Sequence, residues 1–237
     1  MSFNEKFQEA TEYSQKQNYE EAIKKFKELL ELVNDDNDKA MCLASIGKII
    51  SMQAVNTIPN SLRITTKAPP KISYDNELFN EAIKYFNRAI ELKPDSAFIH
   101  ENKALALARK GDFENAIKYG LTAVEIDSSN LLIIHNIVKW YKDSEKFHEA
   151  IEYSKKILHN RGKIIQMYKK NPTQHNKMAL RCISGTLMNK AIAQFNLKNK
   201  VCLQLMKNAI DFEEEYNLNN TEEFHQILNS MKQEFQI

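Results

Sequence analysis

The feature that most constrains the fold is a short helical pattern that occurs four times along the chain. Each copy opens with an aromatic residue, followed three positions later by Ala-Ile, and the anchoring alanines are Ala22, Ala82, Ala116 and Ala150. The last three alanines are 34 residues apart. Apolar or small side chains in these copies recur every three or four positions, which is the spacing of one helix face. One amphipathic helix cannot bury its own face, so the recurrence predicts stacked helical units.

The composition also favours helices. The 237-residue chain contains only 5 Gly and 5 Pro, whereas sheet proteins need such turn residues at short intervals. Its formal net charge of +2 gives no strong electrostatic argument for nucleic acid as a partner. No apolar run approaches the roughly 18–20 residues needed to cross a bilayer, and the N-terminus has no apolar core of the signal-peptide type. We therefore expect an all-α, non-secreted protein with no transmembrane segment.

The pattern resembles the tetratricopeptide repeat (TPR) family, whose unit is a pair of helices with a period of 34 residues. The second helix of that unit carries a small residue, an aromatic four later, a small residue three after that, and then proline. Ala82, Phe86, Ala89 and Pro94 match this pattern in full, and the other copies match it in part. The resemblance implies an all-α, right-handed superhelical solenoid of antiparallel helix pairs, with four to five pairs and a C-terminal capping helix.

The spacing predicts how the chain is divided. Ala22 and Ala82 are 60 residues apart rather than 34, so the second unit must hold extra residues. We expect one TPR-like domain over residues 1–237. Its predicted segments are repeat 1 at 3–36, repeat 2 at 38–94 with an inserted loop at 55–75, repeat 3 at 97–128, repeat 4 at 131–170 with its second helix running unbroken from 146 to 170, a degenerate helix pair at 175–216, and a capping helix at 221–235.

The inserted loop is a candidate partner-docking arm, because long loops in compact repeats are often functional. It combines basic and aliphatic side chains at Leu62, Arg63, Ile64, Lys67 and Lys71. A tolerated surface insertion explains the same composition, and the sequence leaves both interpretations open.

The family resemblance also implies a binding groove on the concave face, lined by the first helices. On that register the groove residues are Ser45, Lys48, Asn102, Leu105, Arg109, His135, Asn136 and Lys139. This set is polar and mildly basic, which favours an extended acidic segment of a partner protein, although ordinary solvated side chains would look the same. The carboxylate clamp of TPR co-chaperones is not supported, since only Asn102 occupies a required place.

No motif predicts catalysis, a metal site or a cofactor. There is no HExxH, GxxxxGK[ST] or GxGxxG sequence, and Ser184 lacks the glycines of a nucleophile elbow. Cys42, Cys182 and Cys202 are odd in number and form no CxxC pair, which is typical of reduced thiols in a cytosol-like compartment. We expect no enzyme activity, no cofactor, no metal and no small-molecule substrate.

The sequence therefore predicts a cytoplasmic, non-enzymatic adaptor or scaffold that binds a partner peptide or helix through the concave face, with the 55–75 insertion as a second candidate. The alternative is a permanent structural subunit of a cytoskeletal, ciliary or membrane-bound assembly. Binding of a chaperone tail is less favoured. An RNA-binding helical repeat is permitted by the basic cluster at Lys155, Lys156, Arg161, Lys163, Lys169 and Lys170. It is also less favoured, because the chain is near neutral and lacks basic–aromatic interleaving on the groove face.

Overall fold

The computed structural model describes residues 2–57 and 72–236, which form twelve helices and one short β-hairpin. The elements are α1 (Phe3–Gln15), α2 (Tyr19–Leu32), α3 (Asp36–Gln53), β1 (Val55–Thr57), β2 (Ile72–Tyr74), α4 (Asn76–Leu92), α5 (Ala97–Arg109), α6 (Phe113–Ile126), α7 (Leu131–Asp143), α8 (Phe147–His159), α9 (Arg161–Lys170), α10 (Gln174–Asn196), α11 (Val201–Tyr216) and α12 (Thr221–Glu234).

Contacts divide these elements into two compact units. Unit 1 ends at Ile126 and unit 2 begins at Asp127. In unit 1 the helices pair as α1 with α2, α3 with α4 and α5 with α6, whereas in unit 2 α7 pairs with α8 and α10 with α11. The expectation of a single domain over residues 1–237 stays a prediction.

Each second helix of a pair has buried residues at positions i, i+4 and i+7, which form one helical stripe. The sets are Ala22, Phe26 and Leu29 in α2; Ala82, Phe86 and Ala89 in α4; Ala116, Gly120 and Ala123 in α6; Ala150, Ser154 and Ile157 in α8; and Cys202, Met206 and Ala209 in α11. Buried cysteine behaves as a small apolar residue, so it replaces the anchoring alanine in the last pair.

The first helices carry a small or compact buried residue where they cross their partners. Gly47 in α3 shows why, because a β-carbon there would lie 3.0 Å from the carbonyl oxygen of Ala82 and 3.1 Å from the ring of Phe86. Ala10, Ala104, Val138 and Ala191 are buried at a matching place near the end of the other first helices. The two helices of a pair can approach closely only because these side chains are short.

Four of the pairs are joined by the same tight turn. Its central residue has a left-handed backbone at Gln17 (φ 60°), Gly111 (φ 90°), Glu145 (φ 61°) and Lys198 (φ 56°). The residue after it donates its N–H to a carbonyl five positions back, at distances of 2.8–2.9 Å in all four turns. This is the Schellman arrangement, which satisfies carbonyls at the end of the first helix. Only one of the four turns has the glycine that this conformation favours.

The second pair is connected by a hairpin instead. β1 and β2 are antiparallel, with Val55 opposite Tyr74 and Thr57 opposite Ile72. The N–H of Asp75 donates to the carbonyl of Ala54 at 2.9 Å, and the Asp75 carboxylate caps α4 by accepting from the N–H of Glu77 at 2.9 Å. These bonds bring the end of α3 to the start of α4, so the two helices pair despite the residues inserted between them.

The sequence prediction of one helix over residues 146–170 was wrong, because the chain breaks into α8 and α9 at Asn160. Asn160 has φ −92° and ψ 2°, and its side-chain amide donates to the carbonyl of Lys156 at 3.2 Å. Such local side-chain bonds compete with continuation of a helix. The break lets α9 pack separately against α10, with Ile164 as its one fully buried side chain.

The last helix is tied to the preceding pair through a buried carboxylate. Glu213 in α11 is fully buried, and it accepts hydrogen bonds from the hydroxyl of Ser184 in α10 and from the N–H of Asn220 at 2.9 Å. A buried carboxylate requires such partners because burial removes its water. These bonds fix the turn before α12, which then buries Phe224, Leu228 and Met231.

Gly47→Ala should destabilise unit 1 by about 1–3 kcal/mol, because the added methyl group would lie only 3.0 Å from the Ala82 carbonyl oxygen and forces the two helices apart. The measurement is urea denaturation followed by circular dichroism. Gly162→Ala is the matched control, since a β-carbon there has nothing within 4 Å. Equal stability of the Gly47 variant and the wild type would contradict the close approach.

Glycine at the left-handed turn positions should stabilise the protein. Glu145→Gly and Lys198→Gly should each raise the free energy of unfolding by about 0.5–1 kcal/mol, because glycine adopts positive φ without a steric penalty. Gly111→Ala should lower it by a similar amount. Thermal denaturation of the three single variants tests this sign pattern, and loss of stability in both glycine variants would contradict it.

Candidate functional site

The best-formed candidate site is an open cleft in unit 1, between the first helices α1, α3 and α5. Its volume is about 360 Å³, which is near the lower end of the range of about 300–1,000 Å³ seen for ligand sites. Most of its lining is aromatic, aliphatic or thioether. The lining residues are Phe7, Thr11, Ser14, Gln15, Gln17, Tyr19, Phe26, Met41, Ser45, Lys48, Ile49, Met52 and Phe98.

Helical spacing brings these side chains together. Phe7, Thr11 and Ser14 form one stripe on α1, and Met41, Ser45, Lys48 and Met52 form another on α3. The hydroxyl of Thr11 donates to the carbonyl of Phe7, and that of Ser45 donates to Met41, both at 2.8 Å. Because these hydroxyls are bonded within their own helices, they add little unsatisfied polarity to the cleft.

Aromatic rings form the base of the cleft. Phe7 meets Phe26 edge to face with their ring centroids 5.1 Å apart, and Phe3 supports Phe7 from behind at 5.5 Å. Phe26 is buried and belongs to the stripe that holds α1 and α2 together. The base is therefore rigid, because it is part of the packing of the first pair.

One cation lies at this apolar surface. Lys48 is the only charged residue among those that line the cleft, and its ammonium lies 5.5 Å from the centroid of the Phe98 ring. It makes no ion pair within the described residues 2–57 and 72–236. A cation over an aromatic face gains about 0.5–1 kcal/mol at an exposed site. Lys48 is thus held near the cleft and is available to a carboxylate.

Comparison with models of known protein families identifies the family that this chain matches. Two family models described as tetratricopeptide repeat match residues 10–40 and 73–130. The first match covers most of the α1–α2 pair, and the second covers α4, α5 and α6. The chain contains tetratricopeptide repeats over these residues.

Solved TPR structures resemble this protein over most of their length. A MamA double mutant gives a TM-score of 0.62 at 12% identity, covering 91% of this chain and 97% of that one. YrrB, described as a TPR protein with an unusual peptide-binding site, gives 0.59 at 14% identity over 90% of this chain and 87% of its own. A putative kinesin light chain from Podosopora anserina gives 0.59 at 11%, covering 90% and 95%. These likenesses confirm the predicted all-α solenoid of antiparallel helix pairs.

One curated protein also matches a short part of the chain. It is the E3 ubiquitin-protein ligase TTC3 of Mus musculus, 34% identical over 56 residues. The match spans 24% of this chain and only 3% of the mouse protein. Proteins with TPR folds are generally scaffolds for protein–protein interaction, and this short match gives no basis for transferring ligase activity.

The cleft contains only two of the TPR groove residues predicted from the sequence, Ser45 and Lys48. Asn102, Leu105 and Arg109 lie farther along α5, where the amide of Asn102 donates to the carbonyl of Phe98 at 2.7 Å. The predicted polar groove also differs from the mostly apolar cleft. Sequence reasoning did not assign Met41, Met52 and Phe98 to the site, although Phe98 lies one helical turn before Asn102.

The predicted groove residues of α7 do not line the cleft, and His135 and Lys139 make contacts within unit 2 instead. His135 bonds to the hydroxyl of Thr186 through Nδ1 at 3.1 Å, and its ring presses against Gly185 of α10. Burial, and then the charges of Lys139 and Lys142, lower the pKa of His135 to about 4. Lys139 pairs with Asp143 at 3.4 Å, and Asn136 is half-buried. At neutral pH, His135 is therefore an uncharged hydrogen-bonding residue between α7 and α10.

The other site residues predicted from the sequence belong to the insertion. Leu62, Arg63, Ile64, Lys67 and Lys71 of the insertion lie outside the described residues. In the part of the chain that is described, no group of three or more His, Cys, Asp or Glu side chains could hold a metal ion. No helix within 2–57 and 72–236 is both long enough and apolar enough to cross a bilayer.

All three cysteines are free and buried in their helices. Burial raises the pKa of Cys42 to about 12 and that of Cys182 to about 11, and it also raises the pKa of Cys202. The thiolate is the reactive form of cysteine, so these thiols are packing groups in the native protein.

His135 should make unit 2 less stable in acid. Its pKa rises from about 4 in the folded state to its ordinary value of 6.5 on unfolding, so the unfolded chain binds the proton first as the pH falls. Stability should fall by about 2–4 kcal/mol between pH 6.5 and 4, and His135→Gln should remove this part of the pH dependence. Urea denaturation across this pH range measures it, with the exposed His148→Gln as the control. A His135→Gln protein with an unchanged pH dependence would contradict the assignment.

Proposed function

We propose that this TPR protein is a non-enzymatic adaptor that holds a segment of a partner protein in the cleft of unit 1. The observation that carries the proposal is the combination of a rigid aromatic base with a single cation, Lys48, at its edge. The partner segment would place a bulky apolar side chain in the cleft and a nearby carboxylate on the Lys48 ammonium. It is therefore acidic near its anchor residue, as the sequence predicted for a groove ligand.

The energetics of the cleft suit holding a ligand. Burying one large apolar side chain contributes about 1.5–3 kcal/mol, and partial desolvation beside the rings strengthens a charged hydrogen bond to Lys48. The cleft lining contains no His, Cys, Asp or Glu that could act as a general acid, a general base or a thiol nucleophile. Its chemistry is that of a hydrophobic anchor site with one electrostatic contact.

Two further observations support a peptide-binding role. YrrB, whose fold resembles this one, is described as having an unusual peptide-binding site. The hydroxyls of Thr11 and Ser45 are bonded to their own helices, so an apolar side chain entering the cleft would not leave them without partners.

The three buried, protonated thiols suit a reducing compartment, so we place the adaptor in the cytoplasm. Membership of a larger complex is part of the same proposal. A permanent structural subunit is the competing role, and crosslinks spread over many surfaces of the native protein would favour it over a single docked segment.

Selection of a random 12-residue peptide library on the intact chain tests the cleft. Enriched peptides should carry Phe, Leu or Met with Asp or Glu within four positions. In fluorescence anisotropy measurements, Lys48→Glu should weaken the binding of these peptides five- to tenfold, about 1–1.4 kcal/mol, because attraction between the ammonium and the peptide carboxylate becomes repulsion between two carboxylates. Met52→Glu should weaken their binding at least as much, because it places a charge on the apolar surface of the cleft.

The matched control is Lys84→Glu, which makes the same charge change at an exposed position of α4. It should leave the affinity within twofold of the wild type. Enriched peptides without acidic residues, or peptides that bind Lys48→Glu and Met52→Glu as tightly as the wild type, would rule out the cleft as the binding site.

A further inference from the structure

Charge is distributed very unevenly along the chain. Between Glu152 and Asp211 there is no Asp or Glu, yet this interval contains twelve Lys and Arg residues. The whole chain has a net charge of only +2, so the rest of it is net acidic. The positive charge is therefore concentrated in one part of unit 2, from the end of α8 through α9, α10 and most of α11.

The helix α9 carries the most exposed part of this charge. Its one fully buried side chain is Ile164, and Ile165 and Tyr168 are half-buried beside it. Lys163 and Lys170 are seven residues apart and lie on the opposite face, and Lys169 lies next to Lys170. The packing of α9 against α10 thus turns its lysines to the outside.

Most of these cations have no carboxylate partner within residues 2–57 and 72–236. In the described part of the chain no ion pair involves Lys156, Arg161, Lys163, Lys169 or Lys170, which we call the cationic surface. By contrast, Lys155 pairs with Glu152 at 2.7 Å. Neighbouring like charges repel one another, so an anionic partner would gain energy from several of them at once.

An apolar group is exposed among the charges. The Met167 side chain is 58% exposed, and it lies four residues from Lys163 and three from Lys170 on the same helix. Helix neighbours at these spacings are adjacent on the surface. Met side chains adapt to irregular apolar partners, so the surface offers a hydrophobic contact surrounded by cations.

This combination favours an acidic polypeptide over nucleic acid. Single-stranded nucleic acid binds best where exposed aromatic rings alternate with cations. The aromatic ring of α9, Tyr168, is instead half-buried and meets Tyr216 edge to face with 6.0 Å between centroids. The thioether of Met167 would contact an apolar side chain of a peptide but would gain little from a phosphate backbone.

We propose that the cationic surface, with Met167 within it, docks an acidic segment of a partner protein that carries an apolar side chain among its carboxylates. This surface lies entirely within unit 2 and shares no residue with the cleft of unit 1. The protein would then have two independent docking surfaces, each selecting for acidic residues next to an apolar one.

The test uses two fluorescent 15-residue peptides of equal charge and the full chain carrying Met52→Glu, which removes the apolar site in the cleft of unit 1 so that binding to unit 2 is measured by itself. One contains ten Glu and five Gly residues, and in the other two of the glycines are replaced by Leu. The Leu-containing peptide should bind more tightly, and Met167→Ser should remove that difference. The triple variant Lys163→Glu/Lys169→Glu/Lys170→Glu should weaken the binding of both peptides at least tenfold. The corresponding triple Gln variant should lose an intermediate amount of affinity. The affinity should fall as salt is raised.

The matched control is Lys27→Glu/Lys84→Glu/Lys118→Glu, which makes the same change in net charge at exposed positions of unit 1. It should weaken peptide binding less than threefold, and circular dichroism confirms that all variants are folded. Tighter binding of a 20-residue oligothymidylate or of vesicles containing 20% phosphatidylserine than of the Leu-containing peptide would overturn the proposal. An equal loss in both triple Glu variants would also overturn it.

Discussion

The close approach of the first and second helix in each pair is the constraint on which the rest of the structure depends. At Gly47 a methyl group would lie only 3.0 Å from the Ala82 carbonyl oxygen, which is tighter than an ordinary van der Waals contact. The matching places in the other first helices are small or compact and buried, so each pair can close in the same way. Larger side chains such as Phe26 and Phe86 then fill the space beside the crossing, and dispersion contacts stabilise the pair.

Because helix packing holds each pair together, the connection between its helices is free to vary. Four pairs use a left-handed turn, and three of these tolerate Gln, Glu or Lys where glycine would be less strained. The second pair replaces the turn with a hairpin whose bonds bring Ala54 to Asp75. The same freedom accommodates α9 between two pairs of unit 2. Connections lie at the surface, where additions disturb few buried contacts.

The candidate binding surfaces of this framework are formed largely by side chains outside the buried stripes of the helix pairs. In unit 1 these form an aromatic cleft with Lys48 at its edge, and in unit 2 they form a cationic surface around Met167. Both surfaces combine an apolar contact with positive charge, which is the physical reason for proposing acidic partners at both. Charge would attract and orient such a partner, and its buried apolar side chain would supply most of the affinity.

The sequence alone determined the helix pairs, because their signal is local: small and aromatic residues at fixed spacings. Local spacing also shows which side of a helix a residue occupies. It does not show which neighbour that side meets. Phe7, Met52 and Phe98 come from three different helices and form a cleft only once those helices pack, and His135 is turned toward α10 rather than left open as a groove residue. The tertiary structure therefore decided the site, since its side chains meet only after helices distant in sequence have packed together.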